Sequence, residues 1–363
     1  MQYCSICILP DTRPQIQINK KNVCSACEYA KKKIKRFNFT KIINDIKKSK
    51  KKYDCLIPVS GGKDSTWQVY LAKKYKLNPL TFTYKTPLRT KIGEDNLDNL
   101  IKIGVDHLEY TINPKVEKKF IKKAFIKKGI AALPMHMAMW AIAYKLATKF
   151  EIPYIFWGEN SAKEYSGTKE NIKLDYLDHK WIKKFGVNAN TSVRDWIDGD
   201  LTEKKLEPYM FDIKKNSQIK SIFLGDYFSW DPIKVLKISK QLGFKFNKKS
   251  KRTGSYSFAD IDDYLISIHH FIKIYKFGFS RSFDNLSLEI RNKRLSRDKA
   301  IKIANKDMKK IPYEDIKIFC NYIGISKKKF FMICEKFRNK NIWKKVNGKW
   351  VLKTSLNEIK KKK

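Results

Sequence analysis

The sequence predicts an α/β protein: a parallel-sheet, Rossmann-like core, preceded by a small zinc-ribbon module and followed by a mainly helical C-terminal region. Three observations carry this expectation. Short apolar runs rich in β-branched and aromatic residues ("YDCLIPV", "NPLTFTY", "DHLEYTI", "IPYIFWG") alternate with stretches of helical spacing such as "STWQVYLAKKY", "EDNLDNLIKIG" and "VEKKFIKKAFIKKGI". Strands that alternate with helices pair in parallel, because each crossover carries the chain back across the sheet. A glycine-rich loop, "PVSGGKDSTW" over residues 58–67, follows the first run directly, and two C-x-x-C pairs fall within the first 27 residues.

Each C-x-x-C, Cys4 with Cys7 and Cys24 with Cys27, closes a turn that points two thiolates at one spot. Two such turns complete a tetrahedron around Zn²⁺ and leave no open position for chemistry, so the metal is expected to be structural. A pair of disulfides is the alternative. A cytoplasmic chain disfavours it, and Cys55, Cys320 and Cys334 have no comparable spacing.

The zinc module is expected over residues 1–36, and residues 28–52, with "KKKIKRF" and "KKSKKK", read as a helix and a solvated link. The core is expected over 50–235, with a further strand, "KSIFLG", near residue 220 after a Lys- and aromatic-rich insertion. Residues 236–363 read as mostly helical, and the "KKK" tail at 361–363 as frayed. No internal repeat is evident. The most apolar stretch, "IAALPMHMAMWAIAY", is too short to span a bilayer, and the reading is of a soluble, cytoplasmic protein.

A formal net charge of +42 suits a nucleic acid or another anionic surface. Of the 78 basic residues, however, 68 are Lys and ten Arg, spread along the whole chain amid much Ile and Asn. Base readers lean on Arg. A solvated surface from A+T-rich coding explains the excess better than a dedicated nucleic-acid footprint does.

The loop after the first strand sits where open α/β sheets bind ligands. Gly61 and Gly62 let the backbone approach an anion, and Ser60, Ser65 and the N-terminus of the next helix would face it. Lys63 adds a counter-charge and Asp64 a candidate Mg²⁺ ligand, unless Asp64 only caps the helix. Neither G-x-x-x-x-G-K-[ST] nor G-x-G-x-x-G is present.

S-G-G-K-D-S resembles the pyrophosphate loop of the PP-loop ATP pyrophosphatase superfamily, with its adenine nucleotide alpha hydrolase-like core. That resemblance implies binding of the β,γ-diphosphate of ATP and release of AMP and pyrophosphate. Three further stretches, "WGENSAKEYSG" (157–167), "LGDYFSWDP" (224–232) and "YKFGFSRSFDNLSLEIRNKRLSRDKAI" (275–301), are similar to one subfamily, the N-acetyl sugar amidotransferases of surface-polysaccharide (LPS) synthesis. The resemblance implies conversion of a sugar N-acetyl group to acetamidino. Ammonia would come from a separate class I glutaminase through a cyclase-like subunit, and the substrate would be a nucleotide- or phosphate-linked N-acetyl sugar.

"WGEN" follows the run "IPYIF", which puts Glu159 and Asn160 at the carboxyl edge of the same sheet as Ser60, with Glu164 and Tyr165 in reach. Arg281, Arg291 and Arg294 are candidates for holding phosphates, and Asp284 for pairing with an Arg; ordinary surface ion pairing is the competing reading. On this view Lys63, Asp64, Glu159 and Asn160 carry the chemistry. Position 2 is Gln, no G-x-C-x-G elbow occurs, and Cys55 lies in an apolar strand, so the chain is expected to take ammonia from elsewhere. His136, His179, His269 and His270 lack a supporting constellation and read as structural or solvent-facing. Two rival functions remain: a thiolase-like tRNA-modifying enzyme, which would need cysteines near the ATP loop, and a non-catalytic, zinc-stabilised RNA-binding protein.

Overall fold

A computed structural model of the protein describes residues 1–32, 36–166, 182, 190–211, 218–250 and 252–356. His179 and the 361–363 tail lie outside the described residues. Five strands form one sheet: β1 (Cys55–Pro58), β2 (Pro79–Tyr84), β3 (Asp106–Tyr110), β4 (Tyr154–Trp157) and β5 (Lys220–Phe223). Their order is β3-β2-β1-β4-β5 and every pairing is parallel, with Cys55 opposite Pro79 and Leu56 opposite Ile155. The expected fold class is the one found. Strand order reverses between β1 and β4, which opens a crevice at their carboxyl ends.

Alternation along the strands divides the core into two layers. Leu56, Leu80 and Phe82 pack with Phe120 and Tyr144, which come from α5 (Pro114–Lys128) and α6 (Leu133–Lys149). Cys55, Ile57 and Phe156 face the other way, toward Trp67 and Leu71 of α3 (Lys63–Lys74). A parallel sheet covered on both faces accounts for the nearly continuous apolar strands.

Residues 28–52 depart from the expected solvated link. α1 (Ser25–Lys31) belongs to the cysteine module, while α2 (Phe39–Ser49) lies on the sheet with Phe39, Ile42 and Ile46 buried. Those positions, i, i+3 and i+7, trace one helical stripe that the surrounding lysines hide from a compositional reading. α4 (Lys91–Ile101) follows β2, and α7 (Pro232–Gln241) packs beside α3.

The C-terminal region contains α8 (Tyr264–Phe277), α9 (Arg281–Arg291), α10 (Arg297–Asp307), α11 (Tyr313–Ile323) and α12 (Lys327–Lys336). It ends in a hairpin, β6 (Trp343–Val346) and β7 (Lys349–Leu352), turning at Asn347 and Gly348, both with positive φ. An Asn-Gly turn of that kind matches the twist of paired strands. α8, α11 and α12 share a core with Phe125 of α5. The cysteine module packs against Phe283 and Leu286 of α9 and Ile301 of α10, and Arg297 donates to the carbonyls of Cys7 (2.9 Å) and Cys4 (3.1 Å). The first residues of the chain are thereby held by its last third. Among the described residues no helix is long and apolar enough to cross a membrane.

Candidate active site

β1 ends at Pro58 and α3 begins at Lys63, so the whole S-G-G segment forms the turn between them. Gly61 has φ +82°, and a Cβ there would lie 2.6 Å from the Leu97 amide nitrogen and 2.8 Å from the Gly93 carbonyl oxygen. No other residue fits without moving α4. Ser65 Oγ and Thr66 Oγ1 donate to the Gly62 carbonyl at 2.9 and 3.1 Å and tie the turn down from below. Gly62 caps α3 without a side chain, which leaves the first-turn amides facing the crevice.

This turn floors a recess of about 150 Å³. Ser60, Gly62, Lys63, Asp64 and Ser65 line it with Glu159, Tyr165 and Arg281, which brings together most of the residues picked from the sequence. The Lys63 ammonium, almost fully buried, lies 2.5 Å from Asp64 Oδ2, while Trp230 Nε1 donates to Asp64 Oδ1 at 2.9 Å. Burial, reinforced by the charge of Asp64, pushes the Glu159 carboxyl up to about 7, with Lys63 and Arg281 opposing. Two guanidinium groups lie near the Tyr165 ring, Arg281 at 5.2 Å and Arg13 at 5.6 Å from its centroid. Arg281 pairs with Asp260 (3.1 Å) and Asp284 (3.3 Å), and Arg13 with Asp284 (2.7 Å). Burial opposes ionisation of Asp284, yet Arg13, Arg281 and Lys273 together hold its carboxyl well below the usual range.

Asn160, Glu164, Arg291 and Arg294 fall outside the recess. Asn160 is buried and its amide donates to Asp226 Oδ2 at 3.3 Å. Glu164 and Arg291 line a second cavity of about 220 Å³, together with Tyr29, Arg36 and the Lys163–Asp226 ion pair (2.9 Å). Arg291 Nη2 donates to the Glu164 carbonyl at 2.7 Å, so it braces the turn after β4. Trp230 is the wall common to both spaces. Arg294 pairs with Asp231 and Glu289, at 2.7 and 2.6 Å. Burial holds the Cys55 thiol well above its usual range, as expected for an inert strand cysteine.

Cys4, Cys7, Cys24 and Cys27 are buried with their sulfurs within 4.8 Å of one another. Cys4 and Cys27 sulfurs are 3.9 Å apart and those of Cys7 and Cys24 3.6 Å, far beyond a disulfide bond. A tetrahedron with Zn–S bonds of ~2.3 Å has edges of about 3.8 Å, so the four fit zinc. The amides of Cys24 and Leu9 approach Cys4 and Cys7 sulfur at 3.2 and 3.4 Å, which suits thiolates. This module also holds the residue next to Tyr165: Ser25 Oγ donates to the Ser166 carbonyl, and Arg13 Nη1 to Ser166 Oγ at 3.0 Å.

Trp230, Asp260 and Arg13 are site residues that sequence reasoning passed over. Trp230 lies in one of the stretches that carries the family resemblance, but Asp260 comes from an aperiodic loop, and Arg13 meets Asp284 across most of the chain.

Residues 250–357 match the family model described as "LPS biosynthesis protein WbpG-like, C-terminal domain". Over this region the resemblance read from the sequence is borne out. An uncharacterized protein of Methanocaldococcus jannaschii is 34% identical over 106 residues, 27% of this chain; the match spans 38% of that curated relative's length. Among solved structures, NMN synthetase from Francisella tularensis aligns at 13% identity over 78% of this chain and 92% of its own, with a TM-score of 0.39. A predicted tRNA methyltransferase subunit from Methanocaldococcus jannaschii aligns at 17% identity over 51% and 75%, with a TM-score of 0.29.

Proposed function

We infer that the chain is an ATP-using enzyme of glycan biosynthesis. More closely, it is an amidotransferase that converts a sugar acetamido group to acetamidino through an adenylated intermediate. The observation that carries this reading is the construction of one recess from two sources. Its floor is the S-G-G-K-D-S turn, and one wall is Asp260, Arg281 and Asn285, all within the WbpG-like region.

In this reading the free amides of α3, with Ser60, Gly62, Ser65 and Lys63, hold the β- and γ-phosphates. Charge grows on the pyrophosphate as its bond to the α-phosphorus breaks, and donors fixed in advance stabilise it without reorganising. Asp64 would hold Mg²⁺, which screens the phosphate charges from the attacking oxygen. The acetamido oxygen attacks the α-phosphorus, pyrophosphate leaves, and NH₃ then displaces AMP from the imidate carbon. Glu159 and Tyr165 border the acceptor. Asn160, Glu164 and Arg291 act one step removed, by fixing the turn that carries them.

Ammonia enters from partners, a class I glutaminase and a cyclase-like channel. The adenylated imidate is open to water, so delivery of NH₃ through a docked protein raises its local concentration and excludes solvent. Purified chain incubated with UDP- or CMP-linked N-acetyl sugars, ATP, Mg²⁺ and ammonium should yield a sugar lighter by about one mass unit in its neutral form and cationic at neutral pH. Glutamine should not replace ammonium. Turnover with glutamine by the single chain, free of any glutaminase, would refute the partner requirement.

A further inference from the structure

The recess is too small for what the reaction must bring together. Ligand clefts run to about 300–1,000 Å³, and the recess offers about 150 Å³. A larger open cavity, about 630 Å³, borders the loop between α7 and α8. Tyr256, Ala259 and Ile261 of that loop are walls of both spaces. Between them a neck of about 10 Å³, lined by Arg252, Tyr256, Ala259, Asp260 and Arg281, shares walls with each, so the three lie in series along the loop.

The walls of the large cavity suit a nucleoside. Tyr313, in the first turn of α11, is 59% exposed, and its ring meets no other aromatic ring among the described residues. Exposed Ile311 extends this apolar rim. A free aromatic face at a cavity mouth takes a planar base by stacking. Asn247 and Ser257 line the interior with side chains that have no hydrogen-bond partner among the described residues, and Glu314, exposed and outside any ion pair there, is an acceptor for sugar hydroxyls. Arg252 stands where cavity and neck meet. Its Nε is taken by Asp315 at 3.0 Å and its guanidinium lies 5.5 Å from the centre of the Tyr264 ring, so the side chain is fixed while neither terminal nitrogen has a partner among the described residues. Arg281, on the recess side of the neck, is likewise held through Nε, by Asp260 at 3.1 Å. Guanidinium forks fixed in this way match phosphate oxygens.

We propose that this cavity holds the nucleoside of a nucleotide-linked acceptor, with the base on Tyr313, the ribose hydroxyls at Glu314 and the phosphates at the Arg252 neck, so that the attached sugar enters the recess beside Glu159 and Tyr165. The choice of the acceptor as owner of the nucleoside rests on the function proposed above; the nucleotide site itself rests on the cavity. Adenosine of ATP is the other source of the same chemistry. The acceptor is favoured because Arg252, Tyr313 and Glu314 fall within the WbpG-like region, whereas the S-G-G-K-D-S turn lies outside it.

Two consequences follow from this placement. At about 10 Å³ the neck admits a water and not a phosphate, so the loop that carries Tyr256 and Ala259 moves aside when the acceptor enters. Its described residues form no helix or strand, which leaves it free to do so. Acceptor nucleotide and Mg·ATP also occupy different spaces, so they bind together rather than compete.

The test is calorimetric titration of the full chain with UDP, CMP, dTDP and GDP, each with and without saturating Mg²⁺ and α,β-methylene-ATP, which cannot release pyrophosphate. At least one nucleotide should bind the wild type, with an affinity that the ATP analogue changes by less than about twofold. Tyr313→Ala, at an exposed ring, should weaken that nucleotide by about tenfold, as loss of a stacking face does. Ser257→Trp should abolish its binding by filling the cavity, and Arg252→Gln should weaken the nucleotide while sparing its nucleoside. All three variants should keep wild-type affinity for the ATP analogue. Competition between nucleotide and analogue in the wild type, which needs no variant, or loss of analogue affinity in Tyr313→Ala would give the cavity to adenosine of ATP and overturn the proposal. Equal nucleotide affinity in wild type, Tyr313→Ala and Ser257→Trp, or no binding of any of the four, would overturn it as well. A nucleotide sugar that binds in the expected way and is not amidinated would count against the proposed function and leave this site standing.

Discussion

Asp64→Ala is expected to lower ATP-dependent turnover by roughly 100-fold or more, a typical loss when a positioned electrostatic group is removed from a water-poor site. The reason is local. Asp64 occupies the first turn of α3, lines the recess, and is held from both sides by Lys63 Nζ (2.5 Å) and Trp230 Nε1 (2.9 Å). Alanine removes the candidate magnesium ligand and also leaves the Lys63 ammonium buried without its counter-ion, so some stability is lost with it. Asp64→Asn separates the charge from the packing and the Trp230 hydrogen bond. The amide oxygen still accepts from Trp230 and the volume is unchanged, but the charge is gone. Turnover of Asp64→Asn should fall nearly as far as that of Asp64→Ala, and its melting temperature should also drop, though less than that of Asp64→Ala, because Lys63 loses its counter-ion while the Trp230 hydrogen bond and the packing are kept. Wild-type turnover in Asp64→Asn would remove Asp64 from the machinery.

The second large effect belongs to the cysteine cluster. Cys24→Ser replaces one of four thiolates whose sulfurs already lie at tetrahedral spacing. Metal content should drop well below one zinc per chain, and the melting temperature should fall by roughly 5 °C or more, since metal binding at such sites is folding free energy. The effect should not stop at the module. Ser25 and Arg13 both grip Ser166, and Arg13 reaches the Tyr165 ring and Asp284. Chelation of zinc from wild type should therefore weaken Mg·ATP or acceptor binding before the core unfolds. Unchanged zinc content and stability in Cys24→Ser would end the structural-metal assignment.

The parts of this protein that could be read from its sequence are those encoded locally. β1, the turn and α3 are contiguous, so the change from an apolar run to S-G-G-K-D-S to helical spacing states both the element order and the turn that lines the recess. The cysteine pairs are legible for the same reason. What escaped was encoded across distance or masked by composition. α2 buries a stripe of three apolar residues within a segment whose lysines dominate its appearance. Arg13 meets Asp284, and His136 meets His269, only because the C-terminal helices fold back over the sheet and the cysteine module. His269 and His270 are adjacent in sequence and point about 100° apart on a helix, so neither suggests the other as a packing partner. Their shared surroundings come from α6 and the Asp260 loop, which no local pattern connects.

The central claim is that the acceptor's amide oxygen attacks the α-phosphate of ATP held on the S-G-G-K-D-S turn. It is tested most directly with an acceptor N-acetyl nucleotide sugar carrying ¹⁸O in its acetyl group, incubated with the purified chain, ATP, Mg²⁺ and ammonium. The label should leave the sugar and appear in the phosphate of AMP, with unlabelled pyrophosphate. Label in inorganic phosphate alongside ADP, or label retained in a sugar turned over with ATP, would contradict it.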